Sequence, residues 1–264
     1  MRFTPFQPGL TLCGGSGFSW AVATLLILVP AALAVIVLSV AGAHWVDGKR
    51  RRSPRPTCFG LAIWSAFRLY ARLWHRTRHV GRSAVEPRPK GPIIIVSNHT
   101  GAADPPLIQA GCTFEIRWMM MREMNKGFVD WFTRYGRIIL VERDGRDLAS
   151  TREALRHLRA GGVLGIFPEG GIERPPGQLR RFQEGVGFLV QRTGAAVIPV
   201  WVSGTPKVDI AFESLWKPGR ARVEFGEPMR FGPAQDPQAI TRAIRDRIAA
   251  MSGWPISDDP TPAP

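Results

Sequence analysis

From Pro92 onward, short apolar runs alternate with stretches of helical periodicity. Strands are predicted near 92–97 (PIIIVS), 117–121 (RWMMM), 137–142 (RIILVE), 162–167 (GVLGIF), 196–202 (AVIPVWV) and 221–225 (ARVEF). Helices fit near 105–111, 127–135, 146–160, 182–193 and 236–251. This alternation predicts an α/β fold: a mixed, largely parallel sheet flanked by helices. The strands are apolar almost throughout, as expected of a sheet covered on both faces. Polar residues fall just past the ends of these runs: His99, Arg143, Glu169 and Ser203. If the strands are parallel, all four segments reach one rim, where open α/β sheets build their ligand sites.

The first third of the chain has a different pattern. Phe18 to Ala43 is 26 residues without a charge, "FSWAVATLLILVPAALAVIVLSVAGA". As a helix it would extend about 39 Å, against a bilayer core of about 30 Å. Pro30, near its middle, leaves two forms open: a tilted, kinked spanning helix, or a re-entrant hairpin. A cleaved signal peptide is the rival reading. The apolar run is long for one, and its basic leader is Arg2 alone. The "KRRR" at 49–52 follows directly, and such clusters stay on the cytoplasmic side.

Next, "CFGLAIWSAFRLYARLWHRTRHV" (58–80) carries Phe59, Ile63, Ala66, Phe67, Tyr70, Leu73 and Trp74 at helical spacing. Arg68, Arg72 and Arg76 line another face. Two readings stand: an amphipathic helix in the lipid headgroup layer, or a helix packed on the globular domain. The expected organisation is an anchor at 1–46, a basic amphipathic segment at 47–90, a globular domain at 91–253 and a loose Pro-rich tail at 254–264.

Charge sharpens this picture. The formal net charge is +14, and twelve Lys/Arg lie between Asp47 and Gly91, opposed only by Asp47 and Glu86. Such a cluster suits an anionic lipid surface or nucleic acid. It abuts an apolar segment and carries no nucleic-acid-binding signature, so membrane lipids are the expected partner and nucleic acid is not. The three cysteines (Cys13, Cys58, Cys112) have no metal-ligand spacing and suggest no disulfide framework.

The candidate chemistry sits in "IIIVSNHTGAADPPL" (93–107). Asp104-Pro105 suits a helix start, with Asp as N-cap and Pro at the first helical position. The small Gly101-Ala102-Ala103 link can turn tightly and return the Asp104 carboxylate to the His99 imidazole. A carboxylate on one ring nitrogen fixes the tautomer and leaves the other nitrogen as a base. The bland alternative is a helix cap beside a loop histidine. No G-x-S-x-G elbow, cysteine-nucleophile motif or complete glycine-rich phosphate loop is present. A His/Asp pair without a protein nucleophile points to a base that activates the substrate's own hydroxyl.

"NHTGAAD" (98–104) resembles the N-H-x-x-x-x-D block of the glycerolipid acyltransferases, the 1-acylglycerol-3-phosphate acyltransferase family. "GRIILVERD" (136–144), "FPEGG" (167–171) and "VIPVWVSG" (197–204) resemble its second, third and fourth blocks, in the family's order. The resemblance implies transfer of a fatty acyl group from a thioester on coenzyme A or acyl carrier protein to a lysolipid hydroxyl. No bound cofactor or metal is implied. His99 would deprotonate the acceptor and Asp104 would orient His99. Asn98, Arg143, Glu169, Gly170, Gly171 and Arg174 would shape or bind the substrate site, with Arg143 on an acceptor phosphate. The third block departs from the usual F-P-E-G-T-R, because Ile172 stands where the Arg is expected and the next cation is Arg174. The later F-K-x-G reads Phe182-Gln183-Glu184-Gly185. Phosphatidate precursors and lyso-aminolipids are therefore both candidate acceptors. A silent lipid-binding scaffold and a hydrolase are the competing classes. The expected location is a membrane, with the catalytic domain on its cytoplasmic face.

Overall fold

A computed structural model describes residues 58–142, 147–172, 177–208, 210 and 212–257. They belong to one compact unit, Lys49–Pro264. Phe18–Ala43 lies outside the described residues. Among those described, no helix is long and apolar enough to cross a membrane.

Seven strands form one sheet: β1 (Arg78–Val80), β2 (Ile93–Ser97), β3 (Arg117–Met121), β4 (Ile139–Val141), β5 (Val163–Ile166), β6 (Ala196–Ser203) and β7 (Arg222–Phe225). Their order is β1-β7-β6-β2-β5-β3-β4. Five strands, β6 through β4 in that order, run parallel. β7 is antiparallel to β6, and β1 runs parallel to β7. The sheet is thus mixed and mostly parallel, and β2 lies at its centre.

The helices are α1 (Cys58–Leu69), α2 (Asp104–Gly111), α3 (Phe128–Gly136), α4 (Leu148–Arg159), α5 (Gly185–Thr193), α6 (Glu213–Trp216) and α7 (Pro237–Ser252). Side chains alternate across each strand, so β2 feeds two cores. Ile93 and Ile95 pack with Leu107, Ile108, Trp118, Val200 and Val223 on the face covered by α2. Ile94 and Val96 pack with Leu158, Leu164, Leu189, Val190, Ile240 and Ile244 on the face covered by α4, α5 and α7. Both cores are fully desolvated around β2, which fixes its last residues rigidly. Asp147 starts α4 by accepting hydrogen bonds from the Ala149 and Ser150 N–H groups, the ordinary N-cap arrangement.

Several expectations are corrected. The 58–80 helix stops early. A π-helical turn covers Tyr70–Trp74, Arg76 takes a left-handed conformation (φ 44°), and β1 follows. A three-residue strand is too short to leave a periodic signature. The helix packs on the globular domain, as the second of the two readings has it. Trp64 Nε1 donates to the Cys112 carbonyl (3.2 Å), Phe67 meets Phe132 edge-on, and the Tyr70 hydroxyl donates to the Leu215 carbonyl (3.0 Å). Leu73 and Trp74 remain exposed, at 63% and 45%. The tail is pinned at its start. Leu179 N–H donates to Pro255 O (2.9 Å), Ser257 N–H donates to Leu179 O (2.8 Å), and Trp254 packs against Trp201. Residues 258–264 lie outside the described residues.

Candidate active site

The parallel register places the site. Val96 of β2 pairs with Ile166 of β5, and His99 and Glu169 each stand three residues beyond that pair. Both therefore emerge on the same rim, side by side. The His99 N–H donates to Glu169 Oε1 (3.1 Å). From β6 on the other side, the Thr205 hydroxyl meets the Thr100 hydroxyl at 2.6 Å.

Asp104 is completely buried and faces back into the loop. Its Oδ2 accepts from His99 Nδ1 (2.8 Å), Thr100 N–H (2.6 Å) and Gly101 N–H (2.9 Å). Its Oδ1 accepts from the Thr100 hydroxyl (2.7 Å). The helix does start at Asp104 with Pro behind it, yet the carboxylate does not cap that helix. It instead closes a tight ring over residues 99–101 and fixes the imidazole. With Nδ1 engaged, His99 Nε2 is the ring nitrogen available to take a proton. The imidazole lies flat on Phe167 (centroids 4.1 Å, 16° apart), and Phe167 lies flat on Trp118 (5.0 Å, 10°). Gly165 makes this stack possible: a Cβ there would sit 2.4 Å from the Trp118 ring.

The charge of Asp104 reaches the end of α1. Burial pushes the Tyr70 hydroxyl up to about 12, and the Asp104 carboxylate adds to the shift. His75 is fully buried with Nε2 2.8 Å from the Tyr70 hydroxyl. Burial lowers its pKa, opposed in part by Asp104.

Asn98 has a different part from the substrate contact expected of it. It is fully buried, its Nδ2 donates to Val202 O (2.9 Å), and Val202 N–H donates to its Oδ1 (2.8 Å). The side chain acts as an extra rung between β2 and β6, with both polar atoms engaged, so it positions the His99 loop. Glu169, 1% exposed, is likewise a brace. Its Oε2 accepts from the Arg180 N–H (3.3 Å), and so it ties the His99 loop to the segment before α5. Gly170 makes the turn after Glu169 with φ +69° and lies exposed on the rim, with Gly171 half-buried beside it. Arg143 and Arg174 lie outside the described residues. Sequence reasoning missed the Trp118–Phe167 platform, Thr205 and Arg180. Phe167 stood inside a recognised block, but nothing in the order of residues ties Trp118 or Arg180 to it.

The model of the Acyltransferase family matches residues 77–203, which contain His99, Thr100, Asp104, Trp118, Phe167, Glu169 and Arg180. Residues 77–203 thus carry an acyltransferase-family domain. The chain is 27% identical over 188 residues to the N-acylphosphatidylethanolamine synthase of Arabidopsis thaliana, covering 61% of this chain and 63% of that protein. It thus spans less than two thirds of that relative's length. The crystal structure of the 1-acyl-sn-glycerophosphate acyltransferase of Thermotoga maritima superposes with a TM-score of 0.60 at 19% identity. That match covers 88% of this chain and 96% of the Thermotoga protein, and it is a likeness of fold. The His99/Asp104 pair therefore stands on an α/β frame like that of the Thermotoga protein.

Proposed function

We propose that this acyltransferase moves a fatty acyl group from a coenzyme A or acyl-carrier-protein thioester to the hydroxyl of a lysolipid. The acceptor is 1-acylglycerol 3-phosphate or a related lysophospholipid. The observation that carries this reading is the buried Asp104 carboxylate 2.8 Å from His99 Nδ1. His99 Nε2 takes the acceptor's hydroxyl proton as the oxygen attacks the thioester carbonyl. The tetrahedral intermediate collapses, the C–S bond breaks, and the imidazolium returns the proton to the leaving thiolate. Asp104 stays ionised and stabilises the imidazolium. Arg143 holds the acceptor phosphate.

The enzyme works at a membrane, its catalytic domain on the cytoplasmic face. The uncharged Phe18–Ala43 run and the adjacent basic cluster support this. So do the exposed Leu69, Leu73 and Trp74, interleaved with exposed Arg68 and Arg72 on one helical segment and followed by exposed Arg76. Trp216, 76% exposed, lies in α6 next to the Leu215 carbonyl that receives Tyr70.

A second reading takes an aminolipid as acceptor. Ile172 in place of the expected Arg favours it, and the Arabidopsis relative is named for making N-acylphosphatidylethanolamine. The test is thiol release from an acyl thioester, with acceptors screened by mass spectrometry of the products. Release that requires a lysolipid and is lost in His99→Ala supports the transferase. Release without acceptor would mean a hydrolase, and no release with any acceptor a silent scaffold.

A further inference from the structure

Arg180 is a cation in an unusual setting. It is 5% exposed, and its backbone N–H is held by Glu169, the carboxylate that also holds the His99 N–H. Its Nη1 donates to the Ile172 carbonyl (3.3 Å) and lies 3.7 Å from where a Cβ on Gly171 would sit. The guanidinium therefore rests against Gly171–Ile172, the place where the third block would otherwise carry an arginine. Its Nη2 is buried, and among the described residues nothing accepts a hydrogen bond from it. A buried guanidinium donor without an acceptor is costly, so such an arrangement calls for an anion. The neighbouring residue is fixed from outside: Leu179 is hydrogen-bonded on both sides by the 255–257 segment. The cation is thus held in place before any ligand arrives.

We propose that Arg180 binds the phosphoryl oxyanion of a substrate beside His99, supplying from a later segment the cation that Ile172 displaces. This rests on the acyl-transfer reading above. Planar guanidinium matches phosphate oxygens better than an ammonium does, which makes Arg180 a specificity-determining residue. The phosphoryl group belongs either to the acceptor or to the coenzyme A donor.

The experiment compares wild type, Arg180→Gln, Arg180→Lys and the exposed neighbour control Arg181→Gln. KM and kcat are measured with 1-acylglycerol 3-phosphate against monoacylglycerol, and with acyl-CoA against acyl-pantetheine. Arg180→Gln is expected to raise KM about 10- to 100-fold for the phosphorylated member of one pair and to leave its unphosphorylated member unchanged. A rise confined to the first pair assigns the acceptor phosphate, and one confined to the second assigns the donor. Arg180→Lys recovers part of the loss, and Arg181→Gln changes nothing. Equal loss with all four substrates, or no loss with any, overturns the proposal. Melting of the ligand-free protein adds an independent readout. Arg180→Gln should leave Tm unchanged or higher and abolish the Tm rise that the phosphorylated substrate gives wild type. A lowered ligand-free Tm with the ligand-induced rise retained would make Arg180 structural. Equilibrium binding of 1-acylglycerol 3-phosphate and of monoacylglycerol, each carried in neutral-lipid vesicles, needs no turnover. Phosphate-selective binding lost in Arg180→Gln, in a protein without transferase activity, would sink the transfer reading while keeping the site.

Discussion

Asp104→Asn removes one charge and little else. In the wild type, Oδ2 receives three N–H groups and Oδ1 receives the Thr100 hydroxyl. With the Asn carbonyl in the Oδ2 place, His99 Nδ1–H, Thr100 N–H and Gly101 N–H all keep an acceptor. The new NH2 faces Thr100 Oγ1, which accepts as readily as it donates and already meets Thr205. Loop shape and imidazole tautomer therefore persist, and the loss falls on the imidazolium formed during catalysis. At 2.8 Å and an effective dielectric of about 20, the lost attraction is about 6 kcal/mol. The net worth of a hydrogen bond to a charged group is lower, about 1.5–3 kcal/mol. At about 1.4 kcal/mol per tenfold, these bracket the fall in kcat between about 10-fold and about 10⁴-fold. The complete burial of Asp104 places the expectation above about 10²-fold. The assay is initial thiol release at saturating donor and acceptor, with KM for each, beside a thermal melt. A kcat within about threefold of wild type, in a normally folded variant, would refute the reasoning.

Other tests follow from the same geometry. Asn98→Ala leaves the buried Val202 N–H and carbonyl without partners and should cost about 2–5 kcal/mol, read as a lowered Tm or urea midpoint. Gly165→Ala drives a methyl into the Trp118 ring and should cost about 1–3 kcal/mol; the tilted Phe167 platform should lower kcat as well. Burial lowers the pKa of His75, His79 and His157, so between their folded values and the unfolded value near 6.5 the unfolded chain binds more protons. Their stabilisation is present above about pH 6.5 and is lost as pH falls through the folded pKa values. Urea midpoints at pH 8 and pH 5.5 should differ accordingly, and replacing His157 with Gln should shrink the difference. A midpoint that rises on acidification would contradict this sign.

Much of the frame was legible along the chain. Uninterrupted apolar runs such as IIIVS and AVIPVWV could only be strands covered on both sides, and their alternation with helical stretches fixed the layer order. The small residues between His99 and Asp104 already implied a tight return. That turn, with its five-residue separation, is local chemistry, and local chemistry is written in order. What the sequence could not decide is who stands beside whom across the sheet. Asn98 looked like a substrate ligand until Val202, more than a hundred residues away, took both its amide atoms. Glu169 joined the His99 and Arg180 backbones only because β5 docks against β2 in one register. The face of α1 that carries Phe67 and Tyr70 had the periodicity of a lipid-binding stripe, yet it packs on protein. Apolar spacing sets which side chains leave water. The partner that receives them is chosen by packing of distant segments, and that choice exists only in the folded chain.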